Sequence, residues 1–390
     1  MMMRAEGTER TVAVFAPLYP PAFMGGGPIR SIAALVAGAP EEVHAVVLTK
    51  DTDLGAKVPM EVVRNSWSRS DGADVYYASM RSPFDYWRAL IALRRTKPAL
   101  LHFNSFLNPQ LTIFPLILWR LGFWGRARVL LSPRGEFGEG ALQRRSAKKR
   151  IYMRFFRVLR MPKAVIWHST AAHETSDLRR IWGDSSVVLE RENDTLLAEV
   201  SSRPRSVDGP LRAVFLGRIV EHKGLHIALE ALAHVAGSVR LDVYGSREDS
   251  TYGVRCDELV SQLPPHVSVE FHGPIRPDLV VDVLKEHELL LMPTAGENFG
   301  HVIAEALSAS CAVAVTPFTP WTEDLSTGGG FVLDRDVASW TTFIDQFAAE
   351  PPAARMSHRI AAGAAYDRWR GRSRPPHLWT SAFERIEASE

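Results

Sequence analysis

Apolar positions along this chain come in short runs separated by longer amphipathic stretches. Residues 12–16 (VAVFA) are continuously apolar, as in a strand buried on both faces. A Pro/Gly-rich loop follows, and a helical pattern covers residues 29–37. Residues 44–49, 99–103, 128–132 and 164–169 are similar runs and predict further strands, most of them separated by helical stretches. Over 191–211 the pattern breaks into a polar, Pro-containing segment that reads as a linker. Alternation then restarts, with strands expected over 212–217, 240–245, 267–273, 289–293 and 312–316 and helices over 225–235 and 301–308. The tail, 365–390, has a helical pattern on both sides of Pro375 and Pro376. Strands alternating with helices predict parallel sheets. The second half repeats the architecture of the first. The expected fold is therefore α/β, two Rossmann-like domains facing across a cleft: an N-terminal domain over 1–190, a linker over 191–211, a C-terminal domain over 212–364, and a helical tail over 365–390 that crosses back to the first. Doubly wound sheets bind ligands at the carboxyl ends of their strands.

Composition changes this picture little. Lys plus Arg is 46 and Asp plus Glu 44, so the net charge of +2 selects no partner and any basic patch is local. The two cysteines, Cys256 and Cys311, form no Cys-x-x-Cys pair, which argues against zinc and redox motifs and fits a reducing compartment. Residues 1–16 hold no long apolar segment of the signal-peptide kind, so a cytoplasmic location is expected. Residues 111–119 (LTIFPLILW) are interrupted by Pro115 and fall well short of the roughly 20 residues that span a bilayer. A buried helix is expected there.

Candidate chemistry lies at three strand-to-helix junctions. In residues 293–307 (PTAGENFGHVIAEAL) a strand ends, a loop carries Glu297, and a helix opens near Gly300 with Glu305 inside it. Amides at such an opening suit a diphosphate, and carboxylates accept hydrogen bonds from sugar hydroxyls. An isolated Glu pair of this kind is more often a cap and a surface charge. In residues 215–232, Arg218 and Lys223-Gly224 sit in a strand–helix turn, where two cations match a diphosphate or are simply solvated. Gly25, Gly26 and Gly27 follow the first strand and allow close backbone approach to a phosphate, though the spacing is not that of a dinucleotide fingerprint.

In this order, together with residues 168–183, these features resemble the retaining glycosyltransferases of family 4, which have the GT-B fold, and among them bacterial members from polysaccharide clusters. The resemblance implies that Arg218 and Lys223 bind the donor diphosphate. It gives Glu305 the ribose hydroxyls, Glu297 the donor sugar with help from the backbone of Asn298, Phe299 and Gly300, and the Gly25–Gly27 loop the phosphates. It also implies a nucleotide-sugar donor with UDP favoured, retention of configuration without a protein nucleophile, no metal and no other cofactor. The acceptor would be a lipid-linked saccharide or a natural-product aglycone.

One departure stands out. Many relatives carry His-Gly where this chain has Arg134-Gly135, a pattern similar to that of a subset of bacterial polysaccharide-cluster members, so Arg134 is either a cation near the phosphates or a structural salt-bridge residue. His102 and Asn104 are weaker acceptor-side candidates, equally readable as structural. The helix expected over 141–161 carries eight Arg and Lys and an apolar stripe of Ile151, Phe155 and Leu159. Either it lies on an anionic membrane surface at the inner face of the membrane, or the stripe packs on the core and the cations face water. Nucleic acid fits less well, because basic residues are concentrated in that helix and no binding motif is present. Asp51-Thr52-Asp53 follows a strand as a GT-A metal motif would, but reads as a turn beside the repeated Rossmann pattern. A nucleotide-sugar epimerase of the same fold and a sugar-nucleotide sensor are the competing functions.

Overall fold

The structure is a computed structural model that describes residues 10–70, 72–138, 147–206 and 209–389. The helix expected over 141–161 therefore begins outside the described residues, as do positions 207 and 208 of the linker segment. Two compact units divide the chain: Met1–Thr195 with Arg374–Glu390, and Leu196–Ser373.

The first unit carries β1 (Arg10–Phe15), β2 (Val43–Lys50), β3 (Trp67–Ser70), β4 (Ala73–Ala78), β5 (Leu100–Phe103), β6 (Arg128–Leu131), β7 (Ile166–Ser169) and β8 (Val187–Glu190). They lie in the order β3-β4-β2-β1-β5-β6-β7-β8, parallel except for the β3–β4 pair. Side chains alternate across β1, which explains its unbroken apolar run. Ala13 and Phe15 join Leu90, Leu116 and Phe156 of the helices Pro83–Arg95, Phe114–Arg120 and Ala147–Val158 on one face. Val12 and Val14 join Ile32 of the helix Gly27–Ala37 and Trp379 of the helix Leu378–Glu387 on the other. Trp379 is fully buried, and its removal would cost about 3–5 kcal/mol.

Residues 111–119 differ from expectation. A π-helical turn, Pro109–Ile113, leads into the helix Phe114–Arg120, so Pro115 sits in a first turn, where a missing N–H costs nothing. Leu111 and Leu116 are buried but Phe114 is exposed, so the helix is half-buried.

The second unit carries β9 (Leu211–Leu216), β10 (Val239–Tyr244), β11 (Val267–Gly273), β12 (Leu289–Met292), β13 (Ala312–Val315) and β14 (Gly330–Val332) in the parallel order β11-β10-β9-β12-β13-β14. The chain leaves β9 toward one edge of the sheet and returns at β12 toward the other. That reversal opens a crevice at the carboxyl ends of β9 and β12. In the first unit the equivalent reversal lies between β1 and β5. Among the described residues, no helix is long and apolar enough to cross a membrane.

Candidate functional site

Both loops of the second unit's crevice are tied together at Gly224. Its φ is +77°, and a Cβ there would fall 2.0 Å from the carbonyl oxygen of Pro293. Only glycine permits that approach. The loop after β9 thereby meets the loop after β12, and Ala295 N donates to His222 O at 2.7 Å. Lys223, just before the glycine, donates its ammonium to Glu297 Oε1. These side chains are 16% and 11% exposed, so the pair is mostly shielded from water.

The loop that carries Glu297 is held along its length. Thr316 Oγ1 donates to Thr294 O at 2.6 Å, Gly296 N donates to Thr294 Oγ1 at 3.2 Å, and Glu297 N donates to Phe318 O at 3.0 Å. Asn298 follows, and then Phe299 is buried against Trp321, whose Nε1 donates to Phe299 O at 2.6 Å. Gly300, at φ +77°, opens the helix His301–Ser308 with no side-chain cap. Gly224 opens the helix Leu225–Leu232 in the same way. First-turn amides without a side-chain cap leave partial positive charge at both openings, which favours an anion. Glu305 is buried in the helix behind Gly300. Arg218 is not part of the Lys223–Glu297 pair. Its Nη1 donates to Glu248 Oε2 at 3.1 Å, on the loop after β10.

In the first unit, Gly25, Gly26 and Gly27 lie after β1, and Gly26 (φ +68°) opens the helix Gly27–Ala37, again without a side-chain cap. Sequence reasoning missed what shapes this loop. Asp53 accepts from Phe23 N at 2.9 Å and from Met24 N at 3.2 Å. Asp51 accepts from Arg64 Nε at 2.7 Å. Protein donors therefore engage both carboxylates of the Asp-x-Asp turn.

Arg134 follows β6 in the left-handed region, φ +53°, a conformation that strains a residue with a Cβ. Its guanidinium donates to Asn104 Oδ1 at 2.7 Å and to Asn193 Oδ1 at 2.5 Å. Burial lowers its pKa to about 10, against the opposing fields of Glu174 and Asp194, so it stays charged at neutral pH. Glu174, also missed from sequence, fixes the turn by accepting from Gly135 N and Thr170 N, each at 2.8 Å. The structure thus joins Arg134 and Asn104 in one polar cluster.

His102 sits elsewhere in the network. It is fully buried, and the direction of its bonds follows from Trp379 Nε1, which can only donate and does so to His102 Nδ1 at 3.2 Å. His102 Nε2 then donates to Ser132 Oγ at 2.9 Å, Ser132 Oγ to His168 Nδ1 at 2.8 Å, and His168 Nε2 to Arg191 O at 3.0 Å. Both imidazoles are neutral in this chain of bonds. Burial, reinforced by Arg134, pushes His102 well below its ordinary value and His168 down to about 3. With both nitrogens used inside the unit, His102 offers no atom to an acceptor.

Potential metal-ligand atoms of Asp242, Glu270 and His272 lie within 4.8 Å of one another. The Arg240 guanidinium pairs with Asp242 at 3.3 Å and with Glu270 at 3.2 Å, so a protein cation already engages both carboxylates. Burial alone would raise the Asp242 carboxyl, but hydrogen bonds from His272, His287 and Arg240 hold it at about 2.

Residues 210–349 match the family model of the glycosyl transferases group 1. A D-inositol 3-phosphate glycosyltransferase of Xylanimonas cellulosilytica is 29% identical over 163 residues, which is 40% of this chain and only 38% of that relative. Among solved structures, Anabaena HepE in complex with UDP and glucose superposes with a TM-score of 0.71 at 14% identity, covering 98% of this chain and all (100%) of that one. Sucrose-phosphate synthase from Thermosynechococcus elongatus gives 0.71 at 16% identity, with 98% and 100% covered. At such identities the structures speak for the fold, α/β with two Rossmann-like domains. Residues 210–349 thus resemble the glycosyl transferases group 1, within a chain that has the two-domain GT-B fold.

Proposed function

We propose that this protein is a retaining, metal-independent glycosyltransferase that moves a hexose-type sugar from a nucleoside diphosphate sugar to an acceptor hydroxyl. The observation that carries the reading is the Lys223–Glu297 pair, set at the carboxyl ends of β9 and β12 with a helix opening behind each partner. A diphosphate entering the crevice competes with Glu297 for the Lys223 ammonium and adds the field of two helix N-termini. Arg218 then supplies a second cation from the rim. Glu297 is released toward the donor sugar beside the backbone of Asn298–Gly300, and Glu305 takes the ribose hydroxyls. The Gly25–Gly27 loop, clamped by Asp53, is the first unit's phosphate element. UDP is the favoured nucleotide, since HepE was solved with UDP and glucose.

The bond between the anomeric carbon and the phosphate oxygen breaks while the acceptor oxygen attacks from the same face, and a phosphate oxygen takes the acceptor proton. Negative charge grows on the leaving diphosphate, where fixed cations act most strongly. The acceptor is a lipid-linked saccharide in cell-surface polysaccharide synthesis. Support for a membrane-side acceptor comes from the helix Ala147–Val158. Its core-facing residue is Phe156, with Tyr152, Met153 and, just beyond the helix, Leu159 partly buried, so of the stripe expected from sequence Leu159 packs on the core while Ile151 and Phe155 give way to Tyr152 and Phe156. Ile151, Phe155 and Val158 are exposed instead, among Arg150, Arg154 and Arg157. Such a face suits peripheral contact with the inner, anionic leaflet.

The deciding experiment incubates the protein with UDP-glucose and a lipid-linked saccharide and follows the anomeric proton by NMR. Release of UDP with an α-linked product supports the reading. An inverted product, or epimerised donor without acceptor, overturns it.

A further inference from the structure

A pocket rich in cations lies at the opposite end of the first unit's sheet. β1, β5 and β6 start side by side, with Ala99 N donating to Thr11 O and Arg128 N to Ala99 O, each at 2.9 Å. The candidate loops at Gly25–Gly27, Asn104 and Arg134 leave the carboxyl ends of these same strands. At their amino ends is a pocket of about 590 Å³, lined among others by Arg10, Arg94, Lys97, Arg126 and Arg128. Glu387 is the one acid in its lining, and Arg10 Nη2 already holds it at 2.6 Å. Arg94, Lys97 and Arg126 have no ion-pair partner among the described residues. Gathered cations without counter-charge repel one another, and an anion relieves that cost.

The walls hold these cations in place. Arg94 lies over the Phe123 ring at 4.7 Å, so a ring face orients it, and Arg10 lies over Phe383 at 4.8 Å while it pairs with Glu387. Arg126 projects from a turn pinned on both sides: Trp124 Nε1 donates to Pro115 O at 3.0 Å and Trp119 Nε1 to Ala127 O at 2.7 Å. Lys97 is the most telling residue. It ends the helix Pro83–Arg95 in the left-handed region, φ +51°, where glycine or asparagine would sit with less strain. A strained lysine at the mouth of a cationic pocket is spent on its charge.

We propose that this pocket binds a phosphate-bearing anion, with room for more than one phosphate group. The source is either a soluble phosphorylated ligand or an anionic lipid headgroup; Leu121, exposed beside the pocket, and Trp87, packed on Phe123, supply an apolar rim for the latter. The proposal does not depend on the reaction assigned above.

Calorimetry with inorganic pyrophosphate tests it in the full chain carrying Arg218→Gln and Lys223→Gln, so that binding at the other crevice is weakened. One site is expected to remain, and adding Lys97→Gln with Arg126→Gln weakens it about tenfold or more. Lys97→Gly separates charge from scaffold: it relieves the backbone strain, so it weakens pyrophosphate binding while thermal stability holds or rises. No residual binding, or binding that both pocket variants leave unchanged, overturns the proposal. Sedimentation with phosphatidylglycerol vesicles then identifies the source. Displacement by pyrophosphate marks a lipid headgroup, and pyrophosphate binding without displacement marks a soluble ligand.

Discussion

Replacing Lys223 by Met should damage stability and donor binding together, and a second substitution should separate the two. In the native pair, Glu297 keeps only 11% of its side-chain exposure. Deleting its partner strands a nearly buried carboxylate. Breaking a fully buried pair costs about 3–5 kcal/mol, and the remaining exposure reduces that to about 2–3 kcal/mol. For a unit of this size the melting temperature should fall by about 5–10 °C. Donor affinity loses a charge-assisted hydrogen bond of about 1.5–3 kcal/mol, or about 10–150-fold in Kd. Combining Lys223→Met with Glu297→Gln removes the stranded charge, so stability should return toward wild type while donor affinity stays low. Thermal melts and calorimetry with UDP-glucose read the two arms. If the double variant regains donor affinity, or Lys223→Met lowers the melting temperature with Kd unchanged, the pair is a structural tie and the proposed donor site is wrong.

Arg134→Ala should lower kcat by about 10²–10³ if the guanidinium stabilises the leaving diphosphate, with Arg134→Lys recovering part; a lower melting temperature with near-normal kcat would make it a scaffold residue. Turnover should survive EDTA, because Lys223, Arg218 and two helix openings supply the positive field; restoration by magnesium or manganese after loss would refute this. His168 has its pKa lowered to about 3 in the fold against about 6.5 unfolded, so its contribution is complete above pH 6.5 and is lost as pH falls toward 3, by about 1.4 kcal/mol per unit. His168→Gln should flatten that acid limb in a series of melts, and an unchanged slope would show that carboxylates alone set it. Arg150→Gln with Arg154→Gln should release the protein from anionic vesicles at low salt, since each cation near such a surface contributes about 1 kcal/mol; absence of wild-type binding would end the membrane reading.

Long-range order in this chain was readable where a single face pattern governed a segment. β11 (Val267–Gly273) and the helix His301–Ser308 have the limits expected from apolar periodicity, and β1, β2, β5, β9 and β12 differ by one or two residues. The strands β3, β4, β8 and β14 were not among those expected. β3 is WSRS, polar and at a sheet edge, and only its antiparallel partner β4 makes it a strand. The same limit applies to the candidate site. Lys223, Glu297 and Glu305 could be picked out because strand–loop–helix junctions mark themselves with glycine. Asp53, Glu248 and Glu174 could not, because each acts on a loop roughly 30–40 residues distant in sequence, and no local pattern encodes that reach.

Charge shows the cost of averaging most clearly. A net charge of +2 suggests that the chain has no electrostatic preference, and the basic residues were expected to concentrate in one helix. Between residues 81 and 163 there are in fact 18 Lys and Arg, with Asp85, Glu136 and Glu139 the only acids. The helices Pro83–Arg95, Phe114–Arg120 and Ala147–Val158, all within this stretch, cover the same face of the first sheet. That face also exposes Phe84, Trp87, Phe114, Ile151, Phe155 and Val158. Screening limits what an approaching surface senses to about 8 Å at physiological salt, a distance shorter than the thickness of a layered domain. A polyanion therefore meets this face and its cations, whereas the compensating acids elsewhere in the chain are screened from it. Partner choice follows from that local field, and a whole-chain sum does not report it.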